Sequence, residues 1–179
     1  MKTIHVVTGN AHKLASFQRH LKDYNFKMVE LDLAEIQSFS ARDIITDKVQ
    51  RAYQEIGKPV LVEDVSAGLD KLNGLPGPFI KFFEERLGDD ALYQLAGEET
   101  AATVVSTIGY YDGHKLIITE GIVNGMVVSP RGDKGWGFDS CFMPDGQTKT
   151  YGEMSFEEKD AICHRSLSIH AFLEELKQL

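Results

Sequence analysis

With 179 residues, the chain is expected to form a single domain over residues 1–179, with room for two lobes. Its 42% hydrophobic content supports a core and excludes disorder, and its formal net charge of −8 excludes non-specific nucleic-acid and anionic-membrane binding, which need a basic surface. No apolar run approaches ~18 residues and no signal-peptide pattern opens the chain, so a cytoplasmic location is expected.

In chain order, "TIHVV" reads as a buried strand, and "AHKLASFQRHLK" as a helix with Leu14, Phe17 and Leu21 at helical spacing. "VELDL" alternates, predicting a half-buried strand with Val29, Leu31 and Leu33 on one face. A helix follows in "SARDIITDKVQRAYQEIG". Ser40 and Asp43 cap it, Ile45, Val49, Ala52 and Ile56 share a face, and Gly57 ends it. "KPVLVED" is the next strand, so the order is β-α-β-α-β. Gly74, Pro76, Gly77 and Pro78 then form a rigid turn into a short aromatic helix, and Asp89 caps another helix. "ATVVSTIGYYDGHKLIITEGIVNGMVV" reads as strands around an Asp112-Gly113 hairpin turn. "SPRGDKGWGFDSCFMPDG" is loop-rich. Ser155 and Glu158 form a capping box, and Ile169, Phe172, Leu173 and Leu176 give the last helix its apolar face. The two cysteines, Cys141 and Cys163, have no CxxC spacing and read as buried small hydrophobes.

Five stretches carry candidate chemistry, each with an ordinary alternative. In "TGNAHK", Thr8, Gly9, Asn10, Ala11, His12 and Lys13 meet at a helix N-terminus, where main-chain N–H groups and a glycine suit a phosphate. Alternatively, Asn10 is a plain N-cap and Lys13 is solvated. Glu63 and Asp64 are adjacent on a strand and so point to opposite faces. One of them can reach a Mg2+ site at the strand's C-terminal end, or both are a charged strand end in solvent. Lys81, amid Phe79, Ile80, Phe82 and Phe83, either snorkels or is a held cation. In "GWGFD", Trp136 and Phe138 separated by Gly137 either grip a flat ring by stacking or form a hydrophobic plug. Near the C-terminal end, Lys159, His164 and Arg165 form a donor cluster able to serve a carbonyl or a phosphate, although a lone histidine is more often structural. Metal spacings such as HExxH are absent, which argues against zinc.

Taken together, "TGNAHK", "VLVEDVSAGL", "LNGLPGPFIKFF", "GWGFDSCFMPDG" and "SFEEKDAICHRS" occur in order over nearly the whole chain. The set resembles the inosine triphosphate pyrophosphatase family, the Ham1-like non-canonical purine nucleoside triphosphate pyrophosphatases. "LPGPFIKFF" is closer to the eukaryotic-type members. "EDVSAGL" departs from the "DDSGL" of many relatives, which retains Asp64 but leaves the following loop free to sit differently.

The resemblance implies an α/β fold with an elongated mixed β-sheet and flanking helices, two lobes around a central cleft, and a homodimer. It implies hydrolysis of ITP, dITP and XTP to the monophosphate and pyrophosphate with Mg2+, for which Mn2+ can substitute. Carried over by position, Thr8 to Lys13, Lys48 and Lys81 hold the triphosphate, with Val65 beside them. Glu35 and Asp64 serve the metal, Asp64 is the base for the attacking water, and Lys13 and Lys48 assist it. Trp136, Gly137, Phe138, Asp139, Lys159, His164 and Arg165 form the base pocket. Two competing readings are a catalytically inactive nucleotide sensor on the same fold and a Maf-type pyrimidine nucleoside triphosphate pyrophosphatase. Retention of Asp64, Lys13 and Lys48 speaks against the first, and the paired aromatics with His164-Arg165 against the second.

Overall fold

A computed structural model describes residues 3–97 and 99–178. Seven strands form one sheet in the order β2-β1-β3-β5-β6-β7, with β4 paired to β3. The strands are β1 (Thr3–Val7), β2 (Asn25–Val29), β3 (Val60–Leu69), β4 (Pro76–Gly77), β5 (Thr100–Tyr111), β6 (Leu116–Val127) and β7 (Phe142–Pro144). β1 runs parallel to β2 and β3, whereas β3–β4 and β6–β7 are antiparallel, so the sheet is mixed. The helices are α1 (Ala11–His20), α2 (Ala41–Ile56), α3 (Ile80–Leu87), α4 (Ala91–Ala96), α5 (Phe156–Asp160) and α6 (His164–Leu176). This is the expected α/β class. Among the described residues, no helix is long and apolar enough to cross a membrane.

The chain divides into two compact units, one of residues 1–64, 106–121 and 165–179, the other of 65–105 and 122–164. The first unit is layered by strand alternation. On β1, Ile4 and Val6 join Leu61 of β3 and Ile108 and Tyr110 of β5 in a cluster with Phe17 and Leu21 from α1 and its C-cap, and with Ile169 and Phe172 of α6. The side chains between them on the strands, Val7, Val60 and Val62, pack with Ile45, Val49 and Ala52 of α2. Successive strand residues point to opposite faces, so α1 and α6 cover one face of the sheet and α2 the other. The second unit gathers Leu69, Leu92, Val104, Phe138, Phe142, Tyr151 and Met154 into its own core.

Local signals account for several of the helix ends. Asn10 caps α1 by accepting the N–H groups of His12 and Lys13, and Ser40 caps α2 by accepting that of Asp43. Gly57 closes α2 at φ 64°, a left-handed conformation in which glycine avoids the Cβ clash. Ser155 and Glu158 form a reciprocal box at α5. Cys141 and Cys163 are buried and unbridged, and burial pushes the Cys141 thiol up to about 12, as inert packing residues should be.

Three expectations need correction. The strand expected in "VELDL" ends at Val29, and Leu31 and Leu33 instead pack, half-buried, beside α2. Alternation marks burial on one side but does not require ladder hydrogen bonds. β3 does not stop at Asp64 but runs on through "VSAGL", so Glu63 and Asp64 lie mid-strand. Pairing with β4, through Ala67–Gly77 and Gly68–Pro76, extends it. Finally, α4 begins after Asp90 rather than Asp89, without a side-chain cap.

Candidate active site

The alternation of β3 decides what its two carboxylates meet. Glu63 shares the parity of Leu61 and therefore faces α1 and α6, while Asp64 shares that of Val62 and faces α2. Glu63 is almost wholly buried, with Lys13 of α1 2.8 Å from Oε2 and Arg165 Nε of α6 3.1 Å from Oε1. Ser106 of β5 adds a hydroxyl donor at 2.9 Å. Burial by itself would raise the Glu63 carboxyl. The Arg165 guanidinium and the Lys13 ammonium outweigh burial and hold it far below the usual carboxylate range.

Asp64, about one-third exposed, sits between two lysines. Lys48 Nζ is 2.7 Å from Oδ2 and Lys13 Nζ 3.9 Å from Oδ1. Lys48 also pairs closely with Glu35, which lies in the irregular segment ahead of α2. Burial pulls the Lys48 ammonium down, but the Asp64 and Glu35 carboxylates more than reverse this and leave it above its ordinary value. Lys13 is thus not the solvated side chain of the ordinary alternative. Its Nζ also donates to the Glu63 carbonyl at 2.7 Å. The turn before α1 is equally built: Thr8 Oγ1 accepts the Asn10 N–H at 3.0 Å, and Asn10 Oδ1 accepts that of His12 at 2.9 Å. Gly9, Ala11 and His12 are exposed beside it.

Among the described residues, no group of three or more His, Cys, Asp and Glu side chains is arranged to hold a metal. The donor set of Glu35 and Asp64 is nevertheless of the kind Mg2+ uses when substrate phosphates and water complete its octahedron. Both carboxylates already converge on a single cation, the Lys48 ammonium.

The second unit holds the aromatic loop. Gly135 and Gly137 adopt φ of 83° and 58°, bending the chain after Trp136 into a short 3-10 turn, Gly137–Ser140. Asp139 is buried and accepts the Trp136 N–H at 3.0 Å, and it also pairs with Lys159 of α5. The Lys159 ammonium lies 5.0 Å from the Trp136 ring centre and 5.1 Å from that of Tyr151, a cation–π arrangement. The two aromatics expected to flank one ring differ in burial. Phe138 is 6% exposed and plugs the core against Phe142 and His164, whereas Trp136 is 42% exposed. The left-handed Gly137 between them breaks the strand-like alternation that would have placed both rings on one side. Lys81 is not enclosed by the aromatics around it: its side chain is 80% exposed, with Glu85 at 3.8 Å. Val65, the first residue of the second unit, is half-buried in β3.

Two residues escaped the sequence reading. Ser106 carried no signal, because only the sheet order brings β5 beside Glu63. The other is Glu84 of α3, whose Oε1 accepts the Phe138 N–H at 3.1 Å. Nothing in "IKFFEERL" distinguishes it from Glu85.

The Ham1 family model matches residues 4–175. The inosine triphosphate pyrophosphatase of Schizosaccharomyces pombe is 40% identical over 99% of this chain and 98% of its own length. That of Pyricularia oryzae is also 40% identical, over 94% and 90%. Among solved structures, a HAM1 protein from Coxiella burnetii shares the fold with a TM-score of 0.87 at 23% identity, covering 100% of both chains. A nucleoside-triphosphatase (dITP/XTP pyrophosphatase) from Mycobacterium abscessus gives 0.75 at 27% identity, covering 96% of this chain and 98% of that one.

Proposed function

Since this chain belongs to the Ham1 family, we propose that it hydrolyses non-canonical purine nucleoside triphosphates (ITP, dITP and XTP) to the monophosphate and pyrophosphate. The observation that carries this reading is Asp64, a partly exposed carboxylate flanked by Lys13 and Lys48 beside a capped helix N-terminus. A triphosphate brings about four negative charges into an acidic protein, so fixed cations must be concentrated where it binds.

Lys13, Lys48 and the Thr8–Lys13 turn receive the triphosphate. Asp64 accepts a proton from the attacking water as its oxygen bonds to the α-phosphorus. The bond from that phosphorus to the bridging oxygen breaks, and the electron pair leaves with pyrophosphate, whose growing charge Lys13 and Lys48 offset. Glu35 and Asp64 would hold Mg2+, or Mn2+ in its place, which supplies further charge neutralisation on the phosphates when bound. Trp136–Asp139, Lys159, His164 and Arg165 receive the base. Inosine and xanthine present a 6-oxo acceptor, which Arg165 can serve. The 6-amino donor of adenine would face a donor, costing about 1–3 kcal/mol for the unpaired group. The reading also includes action as a homodimer in the cytoplasm, with sedimentation as the test of the dimer.

Product analysis with ITP and Mg2+ tests the proposal. One pyrophosphate per monophosphate is expected. Release of orthophosphate in its place would make the protein a phosphatase. Binding without turnover would make it a sensor, and preferential turnover of pyrimidine triphosphates would favour the Maf-type alternative.

A further inference from the structure

Among the described residues, Glu84 is a carboxyl without a cation. It projects from α3 against the 136–140 turn, where its Oε1 takes the Phe138 N–H, and a Cβ on Gly137 would lie 2.5 Å from that same oxygen. Asp139, at the other end of the turn, is anchored by Lys159. By contrast, no ion pair is made to Glu84 among the described residues. We propose that Glu84 is a positioning residue for the purine-binding loop: its carboxyl holds the main chain between Trp136 and Asp139 and thereby sets base affinity in a pH-dependent way. This rests on the reading that Trp136–Asp139 receives the base.

The surroundings explain why the group titrates where it matters. On α3 itself, Lys81 and Glu85 pair with each other and Arg86 is exposed. Ahead of α4 stand Asp89 and Asp90, the latter accepting from Gln94. From the turn come Asp139 and the Cys141 thiol, and the same core holds His164, Tyr151 and Lys159. Burial, then the like charges of Asp89 and Asp139, work against the ionised form, and despite the bond from Phe138 the carboxyl is pushed up to about 7. Ionised, it is purely an acceptor and holds the Phe138 N–H more strongly. Burial and the like charges outweigh this gain, so the engaged turn is held most firmly below neutrality and loosens as the carboxyl ionises.

The chain has one tryptophan, and it lies two residues from Phe138, so its emission reports on this turn without nucleotide. Fluorescence of the wild-type protein should shift with a midpoint near 7, and KM for ITP should rise as pH rises from about 6 to 8. Glu84→Gln keeps an acceptor but cannot ionise, and should flatten both profiles. Glu84→Leu should raise KM about fivefold or more at every pH with kcat changed less than about twofold. A fluorescence transition of undiminished size in Glu84→Gln would assign the titration to another group and overturn the proposal, as would an unchanged KM in Glu84→Leu. Failure of the wild-type protein to turn over ITP would instead remove the substrate reading, while the nucleotide-free fluorescence titration would still decide whether Glu84 controls the turn.

Discussion

At Gly9 nothing in the protein asks for glycine. Its φ lies outside the left-handed region, and an added Cβ would meet no atom within 4 Å. The space is open on the side where Thr8 and Asn10 shape the turn. A bound phosphate would need that approach to the backbone. Gly9→Ala is therefore expected to leave the protein as stable as before, or about 0.4–1 kcal/mol more stable by lowering unfolded-state entropy. KM for ITP should rise about tenfold, the loss of roughly one good contact. Thermal unfolding and steady-state kinetics check the two halves, and an unchanged KM would mean that no ligand closes on this backbone. Asp64→Asn separates binding from chemistry, since the amide retains shape but cannot take a proton. Turnover should fall by well over tenfold, as loss of a general base does, while nucleotide still binds by calorimetry. Turnover near that of the wild type would exclude Asp64 as the base. Glu63 illustrates the opposite case, a carboxylate too buried to meet substrate, which orders Lys13 and Arg165 instead.

Among the elements, β3 organises the first unit. One strand delivers Glu63 to the α1 and α6 side and Asp64 to the α2 side, so adjacent residues take different main partners, Arg165 and Lys48, with Lys13 reaching both carboxylates. That division was legible in "VLVED", because a period of two follows from backbone geometry alone. The partners were not legible: Lys13, Lys48 and Arg165 lie on three helices, and helix order says nothing about which sheet face each covers. The continuation of β3 into the second unit depends on glycine. A Cβ on Gly68 would stand 2.3 Å from the Gly74 carbonyl oxygen, where the Gly74 N–H bonds to Leu69 and closes the bend before β4. Gly68→Ala is expected to destabilise by about 1–3 kcal/mol, the usual cost of overpacking. Urea unfolding measures it, and a loss below about 0.5 kcal/mol, within the ordinary surface range, would show that the bend yields freely.

For the whole molecule, buried Glu63 and half-buried Glu84 limit the pH range of stability from opposite sides. Glu63 is held below its ordinary value of 4.5, so its contribution is full above that pH and drains away as the solution is acidified. Glu84 is raised from 4.5 to about 7, so its contribution is full below 4.5 and is lost as pH rises through 7. Unfolding temperature should therefore peak near pH 4.5 and fall from there to about 7. Glu84→Gln should flatten the neutral limb alone. A maximum above pH 8 in the wild-type protein would show that other groups dominate the linkage. The amino-acid sequence by itself determined most element types, the caps of α1, α2 and α5, the hairpin turn, the opposed faces of Glu63 and Asp64 and the family, because these follow from local backbone geometry, side-chain periodicity and motif order. Only the tertiary structure decided that Lys13 is tied to Glu63, that Phe138 is core while Trp136 stays open, and that Glu84 holds the aromatic turn. Those contacts join residues far apart in the chain, and it is burial in the folded protein that gives their charges and hydrogen bonds their strength.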